Sequence, residues 1–418
     1  MSELVVDDDP AELGFDGTRL AHIDALLQRY VDDGKLPGYS FLLTRRDRIA
    51  HVTRGGLRDI EAGLPVESDT IFRIYSMTKP ITSVAAMMLY EQGAFELTDP
   101  ISNWLPEFAD MRVYVAGSDL RPKTEPATEP IRVWHLLTHT SGLTYGFHRA
   151  HPVDAMYRTA GYEWSTPEGV DLAGAVEAFA AMPLLFQPGT EWNYSVSTDV
   201  LGRLVEVLAG KPLDEVFREW ILDPLGMVDT TFEVPAAEHG RVAALYLPTS
   251  RGGLVRNDAL GNGALERTWL SGGGGLASTL HDYHRFARLL RGFGRLRDEH
   301  GDVRLLGDRT VRYMTRNHLP GGADLATFGR PLFAETPFDG VGFGLGFSVT
   351  LDPAATHTLS SRGEFAWGGA ASTAFWVDPV EDVTAVFMTQ LLPSSTYPVR
   401  SQLRQLVYSA LVDTPSQR

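Results

Sequence analysis

The chain's 418 residues carry 53 acidic against 37 basic side chains, a formal net charge of −16, with 44% hydrophobic and 22% charged residues. That balance describes a globular protein able to bury a full core in one large or two ordinary domains, and it repels phosphate backbones and anionic membrane surfaces. With no cysteine, disulfides, thiolate metal sites and cysteine nucleophiles are excluded, and no apolar run approaches the roughly 18 residues that span a bilayer.

The opening residues, MSELVVDDDPAELGFD, hold neither a basic n-region nor an apolar core of signal-peptide length, so a cytoplasmic protein without nucleic-acid or membrane partners is expected. Leu20, Ile23, Leu26, Leu27, Tyr30 and Val31 then recur at helical spacing and predict a helix that stops near Gly34 and Pro37. Apolar runs at 39–44 and 49–53, separated by the charged residues 45–48, predict a β-hairpin. A second helix is predicted over 77–92, with Ile81, Val84, Ala85, Met88 and Leu89 on one face, Pro80 tolerated in its first turn and Gly93 ending it. From about 100 to 270 the pattern is mostly helical, broken by loops at 116–130 and 148–169, and Val200, Leu201, Leu204, Val205 and Leu208 mark a helix over 198–209. A glycine run at 272–275, a helix over 279–291 and a Gly/Pro-rich stretch at 319–340 follow. Strands are predicted at 341–351, 373–378 and 383–390, and a closing helix at 402–411.

This order predicts an α+β protein of the α/β sandwich type. Residues 1–75 together with 275–418 would build a central antiparallel sheet flanked by helices. Residues 76–274 would form an inserted, mainly helical domain, with the active site in the cleft between the two.

Three short segments could carry chemistry. Ser76-Met77-Thr78-Lys79 opens the second helix and puts a hydroxyl and an amine one turn apart on the same face. A serine hydroxyl needs a neighbouring base to attack, and an amine at the positive end of a helix loses its proton more readily than one in water. Only four lysines occur, at 35, 79, 123 and 211, and Lys79 follows the apolar Ile71-Phe72-Arg73-Ile74-Tyr75, a poor setting for a lysine meant only for solvation. A serine three residues before a lysine also arises by chance, so the pair alone leaves a structural reading open. In Tyr194-Ser195-Val196-Ser197, either Ser197 or Thr198 reads as a helix N-cap, while Tyr194 beside an ammonium reads as a proton shuttle of lowered pKa. Trp367-Gly368-Gly369-Ala370 leads into the strand at 373–378. Its glycines make a bulge on a structural reading; on a chemical one they let another group approach the backbone and leave an N–H for an oxyanion hole.

Together, S-x-x-K at Ser76 and Lys79, Y-S-x-S from Tyr194, W-G-G from Trp367, and the phrase Leu136-Leu137-Thr138-His139-Thr140-Ser141-Gly142-Leu143 carry a likeness to a known family. The chain resembles the serine β-lactamase and penicillin-recognising superfamily, most closely the class C β-lactamase-like carboxylesterases (family VIII esterases), from about residue 15 to 410. The resemblance implies a β-lactamase/transpeptidase-like fold, Ser76 as nucleophile, Lys79 and Tyr194 as general base and acid, and an oxyanion hole of the Ser76 and Ala370 N–H groups. It also implies a substrate cleft bordered by Val196, Trp367, Gly368 and Gly369. The activity implied is that of a serine carboxylesterase acting on small-molecule esters of small or medium acyl groups through an acyl-enzyme. A β-lactamase, a D-amino-acid peptidase or an acyltransferase would use the same scaffold, and a non-catalytic ligand-binding protein is the alternative of another class.

Two departures from class C β-lactamases bear on substrate. Val196 stands where their Y-x-N motif has asparagine, and W-G-G stands where they have K-T-G, with no lysine after Lys211 and Arg362 as the candidate substitute cation. Loss of both contacts points to small, uncharged acyl groups. Lys79 and Tyr194 are expected to titrate as a unit.

His135 and His139 are spaced i,i+4 but lack an intervening glutamate and a third ligand, so they are read as packing or capping residues. The glycine run is not followed by Lys-Ser/Thr and is expected to line the cleft or turn the chain, Gly342, Gly344 and Gly346 fall in a predicted strand, and no G-x-S-x-G elbow occurs. Neither a metal nor an organic cofactor is implied. The loops 148–169 and 319–340 are expected to shape the pocket.

Overall fold

Tyr39, Phe41 and Leu43 alternate with Ser40 and Leu42 along the strand Gly38–Arg45, and all of its positions are buried. A strand covered on both faces reads as one apolar run because its odd and even side chains enter different layers of core. The computed structural model, which describes residues 4–164, 166–261, 269–298 and 301–412, shows both layers. On one face Phe41, Leu43, Trp376 and Phe387 pack with Ile23 and Leu27 of the helix Gly17–Asp32 and with Leu403 and Val407 of the helix Val399–Ala410. On the other, Leu42, Phe375 and Val386 belong to the larger core that includes Tyr283, Phe286 and Leu290 of the helix Leu280–Arg291.

The sheet has eight strands in the order Val341–Phe343, Ser348–Thr350, Phe365–Gly368, Ala374–Asp378, Val383–Met388, Gly38–Arg45, Arg48–Asp59 and Leu64–Pro65. The two chain ends meet where Phe41 pairs with Phe387 and Leu42 with Val386, antiparallel. Arg46 and Asp47, both at positive φ (55° and 66°), turn the N-terminal hairpin, and the Asp47 carboxylate takes Arg288 Nε at 2.7 Å, tying the turn to the helix beneath. Asp16 caps the first helix by accepting the N–H of Thr18 at 2.9 Å. The helix Thr78–Glu91 is buried at every position from Thr78 to Met87, so it is a core helix and not a surface one. It packs against the helix Ser197–Ala209.

Several sequence expectations need correction. Residues 341–351 are two short antiparallel strands, because Gly344 and Gly346 reverse the chain where it passes under neighbouring elements. A Cβ on Gly344 would lie 2.2 Å from Met314 O and one on Gly346 2.2 Å from Ser83 Oγ. The loop expected at 116–130 overlaps a hairpin, Arg112–Gly117 with Pro122–Pro126, whose second strand, PKTEP, carries no apolar alternation to reveal it. Trp367 and Gly368 lie on a strand of their own, Phe365–Gly368, ahead of Ala374–Asp378. The closing helix starts at Val399, three residues earlier than expected. Parts of the helical stretch and loop read over 100–270, residues 165 and 262–268, lie outside the described residues. No helix among the described residues is long and apolar enough to cross a membrane.

Candidate active site

Ser76 does not start the α-helix itself. It sits in a 3-10 turn, Tyr75–Met77, immediately before Thr78–Glu91, and Tyr75 ahead of it has φ +43°. Left-handed backbone on a bulky residue is strained and persists only where its surroundings fix it. Here the turn is held from two sides. Tyr283 Oη donates to Met77 O at 2.9 Å from the helix under the sheet, and Ile74 N–H donates to Leu276 O at 3.0 Å.

Lys79 follows one turn on, 2% exposed, and its ammonium has three acceptors: Ser76 Oγ at 3.2 Å, Tyr145 Oη at 2.9 Å and Gly273 O at 2.6 Å. Tyr194 Oη donates to Ser76 Oγ at 2.5 Å, and Lys79 Nζ stands 4.7 Å from the centre of the Tyr194 ring. The fold thus brings Ser76, Lys79 and Tyr194 into one hydrogen-bonded cluster although 118 positions separate Ser76 from Tyr194. Burial pulls the Lys79 amine down to about 8, opposed by the negative fields of Asp199 and Glu335. Burial also pushes the Tyr194 phenol well above its ordinary value, and Glu335 adds to the rise. The direction is opposite to the lowered phenol pKa expected from a nearby ammonium: desolvation and the Glu335 carboxylate outweigh the contacts with Ser76 and Trp367 that favour the phenolate.

Tyr145, Asp199 and Glu335 were invisible as site residues in the sequence, whereas Gly273 belongs to the glycine run expected to line the cleft or turn the chain. Tyr145 lies just past the Leu136–Leu143 phrase, and its phenol is pushed well up by burial and then by Tyr194. Asp199 Oδ1 accepts from Ser271 Oγ at 2.5 Å and from Gly273 N–H at 3.0 Å, which fixes the carbonyl that receives Lys79. The glycine run therefore lines the site, and a Cβ on Gly273 would lie 2.6 Å from the Asp199 carboxylate.

Neither Ser197 nor Thr198 caps the following helix, whose N-cap is Val196 with no side-chain bond, while Ser195 Oγ accepts the Ser197 N–H at 3.3 Å. Ser197 Oγ is instead bonded to Ser141 Oγ at 2.7 Å and Ser195 Oγ at 2.8 Å, and Ser195 reaches His139 Nδ1 at 3.2 Å. This buried chain joins the 194–197 segment to the 136–143 phrase. His139 packs edge-on to Tyr194 at 5.1 Å, and burial and the charge of Lys79 lower its pKa well below the ordinary value. His135 accepts the Arg132 N–H at 3.0 Å at the start of its short helix.

The W-G-G segment is placed by close approach. A Cβ on Gly369 would lie 2.2 Å from Ile74 O, next to the nucleophile turn, and one on Gly368 would lie 2.5 Å from the Arg400 guanidinium. Arg400 Nη2 donates to Gly369 O and Thr373 O, both at 2.7 Å, and Nη1 pairs with the buried Glu335 carboxylate at 2.8 Å. Ala370 and Val196 line a cavity of about 310 Å³ together with Ser76 and Tyr194. Trp367 stands behind Tyr194 at 5.4 Å, in the wall of a second cavity of about 1010 Å³ that shares Phe333 and Glu335 with the first. Arg362 is exposed and does not line the 310 Å³ cavity, so it does not supply a cation there. A ladder of stacked rings, Tyr145 on Phe147 at 4.6 Å and Phe147 on Trp164 at 4.6 Å, forms the apolar side of the cavity. The loops 148–169 and 319–340 each contribute to the cavity wall, through Trp164 and Phe333 among others.

Comparison with known proteins places this geometry. The Beta-lactamase family model matches residues 23–409. Protein Rv1367c of Mycobacterium tuberculosis is 37% identical over 88% of this chain and 89% of its own length. Esterase EstB of Burkholderia gladioli is 30% identical, covering 96% of this chain and 98% of its own. Among solved structures, EstCE1, described as a hydrolase with promiscuous acyltransferase activity, superposes with a TM-score of 0.78 at 26% identity, covering 94% of this chain and 98% of its own.

Proposed function

The chain belongs to the Beta-lactamase family, and from that premise we propose that it is a serine carboxylesterase that hydrolyses esters of small or medium acyl groups through an acyl-enzyme on Ser76. One observation carries the proposal: Lys79 Nζ and Tyr194 Oη both converge on Ser76 Oγ, at 3.2 and 2.5 Å, beside an aromatic-walled cavity. The similarity to esterase EstB supports the choice of ester over amide.

In the reaction, neutral Lys79 keeps two N–H donors for Gly273 O and Tyr145 Oη and offers its lone pair to the Ser76 hydroxyl. Ser76 Oγ attacks the ester carbonyl as its proton passes to Lys79, and the oxyanion is held by the N–H groups of Ser76 and Ala370. Tyr194, kept as a phenol by its raised pKa, then donates its proton to the leaving alkoxide as the C–O bond breaks. The Lys79 ammonium restores the phenol proton. Water attacks the acyl-enzyme by the reverse proton path, releasing the acid and returning a proton to Ser76 Oγ. Transfer of the acyl group to an alcohol in place of water is the second reading, supported by the description of EstCE1.

A positioned base or acid contributes roughly a hundred- to ten-thousandfold, so Lys79→Ala and Tyr194→Phe should each lose that much turnover of 4-nitrophenyl acetate and butyrate while remaining folded. Rates near those of the unmodified protein in either variant would sink the assignment.

A further inference from the structure

Among the described residues the 310 Å³ cavity has one cationic side chain in its wall, Arg73, and none of their carboxylates is bonded to it. Arg73 ends the two-residue strand Phe72–Arg73, paired with Ala277–Ser278, three residues before the nucleophile, and is 6% exposed. Of its five N–H donors, one on Nη2 bonds Ala243 O at 3.2 Å and another is taken by the Tyr75 phenol oxygen, while buried Nε has no partner. The neighbouring Tyr75 phenol spends its own proton on Leu260 O at 3.2 Å.

Among the described residues each carboxylate of the same cavity has a partner on at least one oxygen, with Glu335 Oε1 left unbonded. Glu163 takes Arg149 Nε at 2.7 Å, Glu335 takes Arg400 at 2.8 Å and Ser394 at 2.9 Å, and Asp199 takes Ser271 and Gly273. Asp258, whose field reaches Arg73, is bound by Arg256 Nε at 2.5 Å. A buried guanidinium with unmet donors is costly to fold around, and its planar fork fits a carboxylate.

We propose that Arg73 anchors a carboxylate of the substrate, so that the preferred substrates are esters that also carry a free carboxylate, half-esters of dicarboxylic acids or esters of hydroxy acids. This rests on the esterase assignment and deepens it. It also revises the uncharged acyl group expected from the absent K-T-G lysine: the cation enters from the strand before Ser76 and not from the W-G-G edge.

The test compares two matched ester pairs with the unmodified protein. Phenyl hemiadipate against phenyl hexanoate places the carboxylate on the acyl side, and 4-butyryloxybenzoate against 4-methylphenyl butyrate places it on the alcohol side. The carboxylated member of at least one pair should have the higher kcat/KM, and raising salt should shrink that preference. Arg73→Gln should lower the ratio roughly ten- to a hundredfold, the range of a hydrogen bond to a charged group, and Arg73→Lys should retain part of it. Fluorophosphonate labelling of Ser76 in each variant reports that the site is still formed. Hydrolysis of all four esters with no carboxylate preference in either pair, or a ratio unmoved in a labelling-competent Arg73→Gln protein, would overturn the anchor while leaving the esterase assignment standing. Absence of both labelling and hydrolysis in the unmodified protein would instead overturn the assignment beneath it.

Discussion

Replacing Asp199 by asparagine gives a pH test of the proton-transfer scheme. Burial holds the Lys79 amine at about 8, and only the neutral amine can take the Ser76 proton. The sign follows: kcat/KM, which reports the free enzyme, should rise with pH as the amine loses its proton. With a midpoint of about 8, the neutral fraction is roughly 9% at pH 7, 50% at pH 8 and 91% at pH 9, so activity should rise about fivefold over the first unit and less than about twofold over the second. Asp199 opposes the fall of the Lys79 pKa through its charge. Both of its hydrogen bonds, from Ser271 and from Gly273, go to Oδ1, which an asparagine carbonyl can replace. Asp199→Asn should therefore keep the Gly273 carbonyl in place, remove the negative field and move the midpoint to lower pH. The assay is 4-nitrophenyl butyrate hydrolysis from pH 6 to 9, read where phenol and phenolate absorb equally, with spontaneous hydrolysis subtracted. A flat profile, or a midpoint that moves up in Asp199→Asn, would refute the reasoning.

Three further outcomes are expected. Tyr145→Phe removes one of the three partners of Lys79 Nζ and should lower turnover by roughly tenfold or more, measured as kcat with the same ester. Gly368→Ala drives a methyl into the Arg400 guanidinium; overpacking of this kind costs about 1–3 kcal/mol, visible as a lower urea midpoint, and the displaced Ala370 segment should lower kcat more than it raises KM. Ser197→Ala leaves Ser141 and Ser195 without their shared partner and should destabilise the protein by about 1–3 kcal/mol in urea unfolding.

What the sequence disclosed was what is written locally. The helix Gly17–Asp32 shows its buried Leu20, Ile23 and Leu27 at helical spacing because one face meets one core layer, and the hairpin shows its two runs and charged turn because its first strand is buried on both faces. Ser76 and Lys79 are one turn apart, so their meeting needs no tertiary knowledge. Tyr194 and the W-G-G segment each carry a structural reading beside the chemical one, the resemblance joins them to Ser76, and the folded chain brings Tyr194 onto Ser76 and Trp367 behind Tyr194. The partners of Lys79 were not legible, since Gly273 and Tyr145 act through a carbonyl and a phenol that only the packed cleft brings within reach. Arg400 and Glu335 escaped for the same reason: an arginine in the closing helix and a glutamate in a Gly/Pro-rich stretch look like solvated charges until the guanidinium is seen under Gly368. The direction of the Tyr194 shift was misread because burial, which dominates it, has no one-dimensional signal.

The central claim is that Ser76 is the acyl-forming nucleophile. Its most direct measurement is intact-mass and peptide mapping after treatment with a fluorophosphonate, alongside 4-nitrophenyl butyrate hydrolysis by the unmodified protein and Ser76→Ala. The account predicts one adduct, on the peptide containing Ser76, and loss of hydrolysis in the variant. Absence of an adduct, together with equal hydrolysis by both proteins, would contradict it.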